Sequence, residues 1–595
     1  MGLVRGGRAS RRIAFAGVLA TLAIVAAPEA EKAQASTILV SVPAGSLEKG
    51  LLVFGRQSGL QLLYSTSIAA GKPTPGLKGE MSTTEAIATL LAGTGLQAHF
   101  TSANTVRIFD PAALQANGQA IQLDTITVEG QSTTPGGRRE SVTGPVDGFV
   151  ATQTTTGTKT STPIVEVPQS ISVVPQAQIT AQGAQTISEA LRYTPGVNTE
   201  TLGVGDFSTS FMRVRGFTPD LYQDGLRLPN PPSASSYPDI EPYNLERIEV
   251  LKGPSSALYG SSGPGGIINM TSKRPLDTPR HEIAVQGGSF DHKQVQFDFS
   301  DRINGSPNAL FRIVGLFRDS EHQINYFEDK RQFIAPSLTI KNDTTKLTLL
   351  GSYFHSDGVW NFFNYMPASG TVLANPNGRI GMRTNSGDPF YDNLKREQFS
   401  AGYAFEHSFS EAWTFRQNTR YLSTNNVQNA MTPARLGSAP LFSNDPRTGL
   451  AVDDPTLQNM NRGAIFLSSY NESFTIDNQV EGKFNTGPLA HTLVVGFDYR
   501  KLDSTYTYDL AGSFLPLNMF NPVYGTPIVP SVFPLQDDAY RLEQSGFYFQ
   551  DQIKSNGWLL TLGGRNDWAT TLTDNKLDPT RGFIVGSGSP SRHSS

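Results

Sequence analysis

Residues 399–406 read Phe-Ser-Ala-Gly-Tyr-Ala-Phe-Glu, and residues 474–481 read Phe-Thr-Ile-Asp-Asn-Gln-Val-Glu. In both segments large apolar residues alternate with small or polar ones, so the two kinds of side chain point to opposite faces of an extended strand. The same period of two recurs at residues 294–300, 413–421 and 493–499. This pattern predicts about eleven strands between residues 281 and 569.

The connections between these strands alternate in length. Short turns at residues 342–343 and 555–557 contrast with long loops near 357–395, 424–464 and 505–540. Strands of about ten residues that are apolar outside and polar inside, with short turns at one end and long loops at the other, are typical of a transmembrane antiparallel β-barrel. A soluble β-sandwich with a polar outer face is the alternative that this pattern leaves open.

Composition excludes several classes of protein. The chain has 595 residues, 48 Lys and Arg against 52 Asp and Glu, and no Cys. A net charge of −4 gives no concentrated basic surface for nucleic acid. The lack of Cys excludes disulfides, thiolate zinc sites and a Cys nucleophile, and the 8 His show no zinc-binding spacing. With no G-x-S-x-G elbow either, we expect neither an enzyme nor a protein metal site.

The first 35 residues have the pattern of a signal peptide. Four Arg between residues 5 and 12 precede the apolar run Ile13–Ala27, and Ala33-Gln34-Ala35 follows as a cleavage site. The apolar run is shorter than the roughly 20 residues that a transmembrane helix needs, which disfavours a membrane anchor, the alternative interpretation. We therefore expect an exported protein that starts at Ser36.

Three segments separate this leader from the strands. Residues 37–110 alternate short strands and helices twice over, which predicts a compact α+β domain. Residues 111–160 have the composition of a linker, apart from the β-prone hexamer Leu123–Val128 (Leu-Asp-Thr-Ile-Thr-Val). An exposed β-prone segment is suited to adding a strand to a partner's sheet, although a chance run of β-formers is equally compatible. Residues 161–275 form a second mixed α/β unit.

Motifs in this second unit carry a family resemblance. They are Val167–Pro175 (Val-Pro-Gln-Ser-Ile-Ser-Val-Val-Pro), Phe211–Phe217, Tyr222–Gly225, Leu245–Pro254 (Leu-Glu-Arg-Ile-Glu-Val-Leu-Lys-Gly-Pro) and the glycine-rich residues 258–269. In the strand region, residues 548–552 and 562–565 add to it. With this order of segments, the chain resembles a TonB-dependent outer-membrane siderophore receptor of the signal-transducing type.

This resemblance implies a function for each segment. Residues 37–110 look like the secretin/TonB short N-terminal domain, which signals from the periplasm to an inner-membrane anti-sigma regulator. Residues 123–128 (Leu123, Asp124, Thr125, Ile126, Thr127 and Val128) look like the TonB box, which binds TonB and its inner-membrane energising complex. Residues 161–275 look like the plug, and residues 281–595 like part of a membrane β-barrel in lipid of a Gram-negative outer membrane.

The resemblance also implies site residues. We expect Arg213, Arg215, Glu246, Arg247 and Lys252 to pair the plug with polar residues of the barrel lumen. Tyr237, and more weakly Asp206 and Phe207, are candidates for contact with the ligand, an iron(III)–siderophore complex that supplies its own iron ligands. Residues 360–365, rich in aromatics, are interpreted as an interfacial girdle rather than a lid over the ligand.

The C-terminal region departs from the family pattern. About eleven strands are half of the roughly 22 that form the plugged barrels of outer-membrane transporters, and residues 586–595 are polar and turn-rich. We therefore expect a fragment or a frameshift after about residue 570. Three functions remain open: import of a ferric siderophore with signalling, import of another substrate such as haem, cobalamin or an oligosaccharide, and a truncated signalling fragment that does not transport.

Overall fold

The computed structural model describes residues 37–58, 60–63, 69, 71–102, 105–109, 140–201, 211–231, 236–433, 456–528 and 532–577. The chain divides into two compact units, one of residues 26–128 and one that contains residues 129–595. No helix in these described ranges combines the length and the apolar composition needed to cross a membrane.

The first unit is a small α+β fold. Its strands are Thr37–Val42, Gly45–Ser46, Gln61–Leu63, Pro73–Thr74, Leu77–Ser82, Gln97–Ser102 and Thr105–Phe109, and its main helices are Leu47–Ser58 and Thr83–Leu91. The helices bury apolar residues at helical spacing, including Leu47, Leu51 and Phe54 of the first. Ser82 and Glu85 form a capping box that starts the second helix. The alternation of strands and helices that the sequence predicts is therefore present.

Residues 140–272 form a second α/β module, which we call the plug. Its five-stranded sheet has the order Ser170–Pro175, Leu245–Lys252, Ile267–Ser272, Asp220–Gln223, Leu226–Arg227. Smaller elements are the strand pairs Gln153–Thr154 with Thr162–Pro163 and Val197–Asn198 with Arg213–Val214, the helices Gln176–Ala181, Ile187–Leu191 and Ser256–Tyr259, and the 3-10 turns Ile164–Glu166 and Pro242–Asn244. Every residue of the strand Leu245–Lys252 is buried. It pairs with Ser170–Pro175 on one side and with Ile267–Ser272 on the other, and because it lies inside the sheet we call it the central strand of the plug.

An antiparallel meander of eleven strands follows, which is the number that the sequence predicts. Its strands are Arg280–Gly288, His292–Arg302, Ala309–Glu321, Glu328–Lys341, Thr345–Gly358, Asn393–Ser408, Trp413–Pro433, Arg462–Thr486, Leu489–Phe514, Val532–Ser555 and Trp558–Asn575. Each strand pairs with the next in the meander, and in the described residues the first and last are the edges.

The two faces of the meander have opposite chemistry. Along Arg462–Thr486, residues 471, 473, 475, 477, 479 and 481 are polar and buried. Phe474, between them, is 40% exposed on the other face. Phe399, Phe497 and Phe549 are exposed in the same way on their strands. Apolar residues outside and polar residues inside are what a sheet between lipid and a polar lumen requires, so the alternation predicted from the sequence is confirmed.

The turns and loops lie at opposite ends of the strands. Residues 342–344, 409–412, 487–488 and 556–557 are short turns at one end, and Asn556 and Gly557 both have positive φ, as a tight two-residue hairpin turn requires. At the other end, the described parts of the long connections pack against one another. Asn459–Met460 pairs with Leu517–Asn518, and Met460, Leu517 and Ile380 share a small apolar core.

Candidate functional site

The polar face of the meander contacts the plug mainly through charged groups. The strongest cluster surrounds Arg312, whose guanidinium makes two parallel hydrogen bonds of 2.7 Å to Asp298. The same guanidinium donates to Glu246 of the plug at 2.6 Å. Arg312 and Glu246 are each 1% exposed at the side chain. Removing one partner of a buried pair typically costs about 3–5 kcal/mol, so this cluster holds the plug in place.

Lys273, which follows the last strand of the plug, completes this cluster. Its ammonium lies 2.9 Å from Asp298 and 3.9 Å from the ring centre of Tyr243. Burial lowers the pKa of Lys273 to about 8, and the nearby Arg312 acts in the same direction while Asp298 opposes it. The joint between plug and meander therefore contains a buried ammonium that loses its proton more easily than an ordinary lysine.

Three further arginines of the meander form ion pairs with the plug. Each pair unites an acidic residue of the plug with an arginine on the polar face of a strand, and they connect three different strands to the plug. The pairs are Glu241 with Arg331 at 3.0 Å, Asp239 with Arg396 at 3.1 Å and Asp224 with Arg420 at 2.5 Å. The acidic groups of the plug are thus distributed around the lumen, and no single contact anchors the module.

Residues 152–163, which we call the strap, contact the meander differently. The segment reads Thr-Gln-Thr-Thr-Thr-Gly-Thr-Lys-Thr-Ser-Thr-Pro. Hydroxyl groups supply most of its side-chain hydrogen bonds. Thr154 and Thr156 donate to Glu249 of the plug. Gln550 donates to the carbonyl of Thr158, and Gln552 to the hydroxyl of Thr160. Water can replace hydroxyl hydrogen bonds of this kind, so the strap is a polar contact that can be rehydrated.

One charged residue of the strap enters the wall of the meander. The ammonium of Lys159 lies 2.8 Å from Asp477 and 4.0 Å from the ring centre of Tyr548. Lys159 has a φ of 57°, a left-handed backbone conformation that lysine rarely adopts. We call Asp477 and Tyr548 the lysine socket.

A cavity of about 320 Å³ lies between the strap and the meander. Lys346, Glu406 and Arg416 line it on the meander side, close to the short turns. Lys159, Asp224 and Arg274 line it on the plug side. A polar space of this size is large enough for water, so the plug and the meander can separate here without exposing an apolar core.

The five charges predicted to face the lumen have different partners. Glu246 contacts the meander, as described above. The prediction is wrong for Arg247 and Lys252. Arg247 lies within the plug and donates to the Glu140 carboxylate and to carbonyls of residues 141, 144 and 153. It thereby ties the first described residues of the plug to the central strand.

Lys252 also bonds within the plug, because it lies at the end of the central strand and donates to Ser172 on the neighbouring strand at 2.8 Å. Burial, with a contribution from Arg215, lowers its pKa. Arg213 donates to the carbonyl of Met212, and Arg215 occupies a tight turn with a φ of 51°. Pairing of Arg213 and Arg215 with the meander stays a prediction.

Among the predicted ligand contacts, only Tyr237 lies in the described residues. Its hydroxyl donates to Asn230, and its ring packs against the core of the plug. Asp206, Phe207 and the hexamer Leu123–Val128 lie outside the described residues. The girdle interpretation is wrong for Trp360, which is 2% exposed and packs with Ile324 and Phe327 inside the folded loops.

Sequence reasoning missed Arg312, Arg331, Lys159 and Asp477. The signal for Asp477 was present, because it occupies a polar position of a strand with period two. Its partner, however, lies 318 positions away along the chain. In the described residues, no group of three or more His, Asp or Glu is arranged to hold a metal ion.

Three family models match the chain. The TonB-dependent receptor plug domain matches residues 163–267, and the TonB-dependent receptor-like β-barrel matches residues 334–594. The secretin and TonB N-terminus short domain matches residues 60–111.

Similar proteins and structures are consistent with these matches. The ferrichrome outer membrane transporter/phage receptor of Escherichia coli K12 is 35% identical over 480 residues, covering 77% of this chain and 62% of that protein. The ferrioxamine B receptor of Salmonella typhimurium SL1344 is 32% identical over 430 residues, 71% of this chain and 58% of that protein. The chain thus spans about three fifths of these relatives.

Solved structures are similar in fold. The closed form of the ferric-catecholate import receptor Fiu from Escherichia coli K12 has a TM-score of 0.63 at 20% identity, covering 75% of this chain and 63% of that one. The ferripyoverdine receptor of Pseudomonas aeruginosa has a TM-score of 0.58 at 21% identity, and the match covers 91% of this chain and 67% of that one.

Proposed function

Because the chain belongs to the TonB-dependent receptors of the Gram-negative outer membrane, we propose that it binds a ferric siderophore and imports it with energy from TonB. The observation that carries the proposal is the polar seam between plug and meander, in which ion pairs and hydroxyl groups surround a 320 Å³ cavity. A seam of this kind closes the lumen and can still separate, because water can replace its contacts. Relatives named for ferrichrome and ferrioxamine favour a siderophore over haem, cobalamin or an oligosaccharide.

The partners follow from the same proposal. Residues 123–128 would add a strand to TonB, and residues 37–110 would signal to an inner-membrane anti-sigma regulator. Tyr237, with Asp206 and Phe207, would contact the ligand on the loop side of the plug. The siderophore would supply the ligands of the iron.

The experiment uses the full chain, expressed in cells that lack their own siderophore receptors. Binding of ⁵⁵Fe-labelled ferrichrome and ferrioxamine B is measured on isolated outer membranes, and uptake is measured on intact cells with and without TonB. We expect binding in both strains and uptake only where TonB is present. Binding without uptake in either strain would favour the signalling fragment instead. Lack of binding to either complex would overturn the siderophore proposal.

A further inference from the structure

The lysine socket has the chemistry of a binding site for a cation. We propose that Asp477 and Tyr548 bind a primary ammonium group, which Lys159 supplies while the strap is in place and a ligand supplies when the strap is displaced. As a step in import, this inference rests on the proposed function. The socket itself belongs to the meander, so it remains when the strap leaves.

The contacts in the socket are complementary to an ammonium group. The Lys159 ammonium donates to one carboxylate oxygen of Asp477 at 2.8 Å. Tyr548 donates its hydroxyl to the other oxygen at 2.7 Å, and its ring centre lies 4.0 Å from the ammonium. Tyr259 of the plug adds a second ring face at 5.1 Å. A carboxylate and an aromatic face together favour a compact cation over a neutral or anionic group.

The meander holds these groups in position without help from the strap. Gln479 donates to Asp477 at 2.7 Å and orients its carboxylate. Tyr548 lies opposite Gly496 on the neighbouring strand, where a Cβ atom would come within 2.2 Å of the tyrosine ring. The ring can therefore lie flat against that strand only because residue 496 is glycine. Tyr548 is 0% exposed and Asp477 is 4% exposed.

Lys159 and the strap that carries it are held in place less firmly than Asp477 and Tyr548 of the socket. Lys159 reaches Asp477 from a left-handed backbone conformation, which costs energy for a residue with a side chain. The backbone pairing inside the strap consists of two two-residue strands. Much of the remaining contact is through threonine hydroxyls, which water can satisfy. Displacement of the strap would leave a buried carboxylate facing the cavity, and a second ammonium group would compensate its charge.

A chemical rescue experiment tests the socket directly. The chain has no Cys, so Thr158→Cys places a single thiol in the strap, at a position that is 2% exposed next to Lys159. In the full chain, adding Lys159→Ala should speed labelling of this thiol by a maleimide about tenfold, because the socket is left empty. Millimolar n-butylammonium chloride should reverse most of this increase, whereas equal concentrations of sodium chloride or n-butanol should not.

Variants of the carboxylate separate specific binding from a general effect. Adding Asp477→Asn should abolish the rescue. Adding Glu481→Gln, a change at another buried carboxylate on the same face of the same strand, should leave it intact. Rescue that persists with Asp477→Asn, or that n-butanol reproduces, would overturn the proposal.

A second experiment tests whether a substrate uses the socket. Import is compared for a ferric trihydroxamate with a terminal primary amine and for the same complex after acetylation of that amine. The unmodified chain should import the amine form several-fold faster, and Asp477→Asn should remove this preference. If the ratio of the two import rates is the same in the unmodified chain and in Asp477→Asn, the socket does not bind the ligand during import. Failure of the unmodified chain to bind either complex would instead contradict the proposed function.

Discussion

The guanidinium of Arg312 lies 2.6 Å from the carboxylate of Glu246, so one strand of the meander and the central strand of the plug share a buried ion pair. The two residues are 66 positions apart. Asp298 on the adjacent strand holds the same guanidinium through two further hydrogen bonds. The meander therefore holds the arginine in position through Asp298, and the plug contributes the second carboxylate.

Replacing this arginine should loosen the plug. We expect Arg312→Gln to lower the free energy of plug unfolding by about 3–5 kcal/mol, since Glu246 and Asp298 would lose a buried partner. Urea unfolding in detergent, followed by proteolysis of the plug, measures the effect. Arg302→Gln, at an exposed arginine of the neighbouring strand, is the control and should change stability little. If Arg312→Gln and Arg302→Gln lowered the free energy of unfolding equally, the buried ion pair would not stabilise the plug as described.

Gly496 should tolerate no side chain. Because a Cβ atom there would stand 2.2 Å from the ring of Tyr548, Gly496→Ala should destabilise the sheet by about 1–3 kcal/mol. The comparison is Gly351→Ala, a strand position where the nearest atom would be 3.7 Å from the new Cβ. Thermal unfolding in detergent should show a lower midpoint for the first variant only.

Lys273 should make the joint between plug and meander sensitive to pH. Its pKa is about 8 in the folded protein, below the ordinary value of 10.5, so the unfolded chain binds more protons between these two pH values. The contribution of Lys273 to the free energy of unfolding should therefore rise as the pH increases from about 8 to about 10.5, and should stay at its low value below that range. Unfolding of the unmodified protein and of Lys273→Met across this range measures the contribution as a difference. If the free energy of unfolding changes with pH in the same way in both proteins, the predicted role of Lys273 is wrong.

The TonB-box assignment makes a prediction about transport. Ile126→Pro removes a backbone donor from the hexamer and should block strand addition, so uptake should fail while siderophore binding survives. Ser132→Pro, four residues beyond the hexamer, should leave both intact. Uptake that is unchanged by Ile126→Pro would refute the assignment.

Asp392 should hold the loop of residues 359–392 in its folded position. Its carboxylate accepts hydrogen bonds from the backbone of Met431 at 2.6 Å and of Asp388 at 2.9 Å, and from the side chain of Asn361 at 3.0 Å. Asp392→Ala removes this acceptor, at a cost of about 1–3 kcal/mol for each buried donor that is left unpaired. Asn361 keeps its hydrogen bond to the carbonyl of Met431. Hydrogen exchange in the loop should accelerate, whereas Asp343→Ala in an exposed turn should not affect it.

The local periodicity of the chain made much of the fold predictable. Alternation with a period of two depends only on neighbouring residues, and it predicted the number of strands and their apolar and polar faces. The contacts of charged residues were less predictable. Arg247 carries the same charge as Arg312 and lies on a buried strand, yet it bonds to Glu140 inside the plug. The aromatic residues 360–365 predict an interfacial girdle, yet Trp360 lies in the core of the folded loops.

The sequence by itself determined how many strands the meander has, which face of each strand is polar, and the order of the α+β domain, linker, plug and meander. Residues 424–433, 505–514 and 532–540, which the sequence predicts as loops, instead extend three of the strands. Only the tertiary structure decided which charges meet. Lys159 and Asp477 are 318 positions apart, and their contact depends on the register of several strands and on the path of the strap through the lumen. Secondary structure follows from local periodicity. Whether two distant charged residues form a buried ion pair depends on the positions of all the elements that lie between them in the chain.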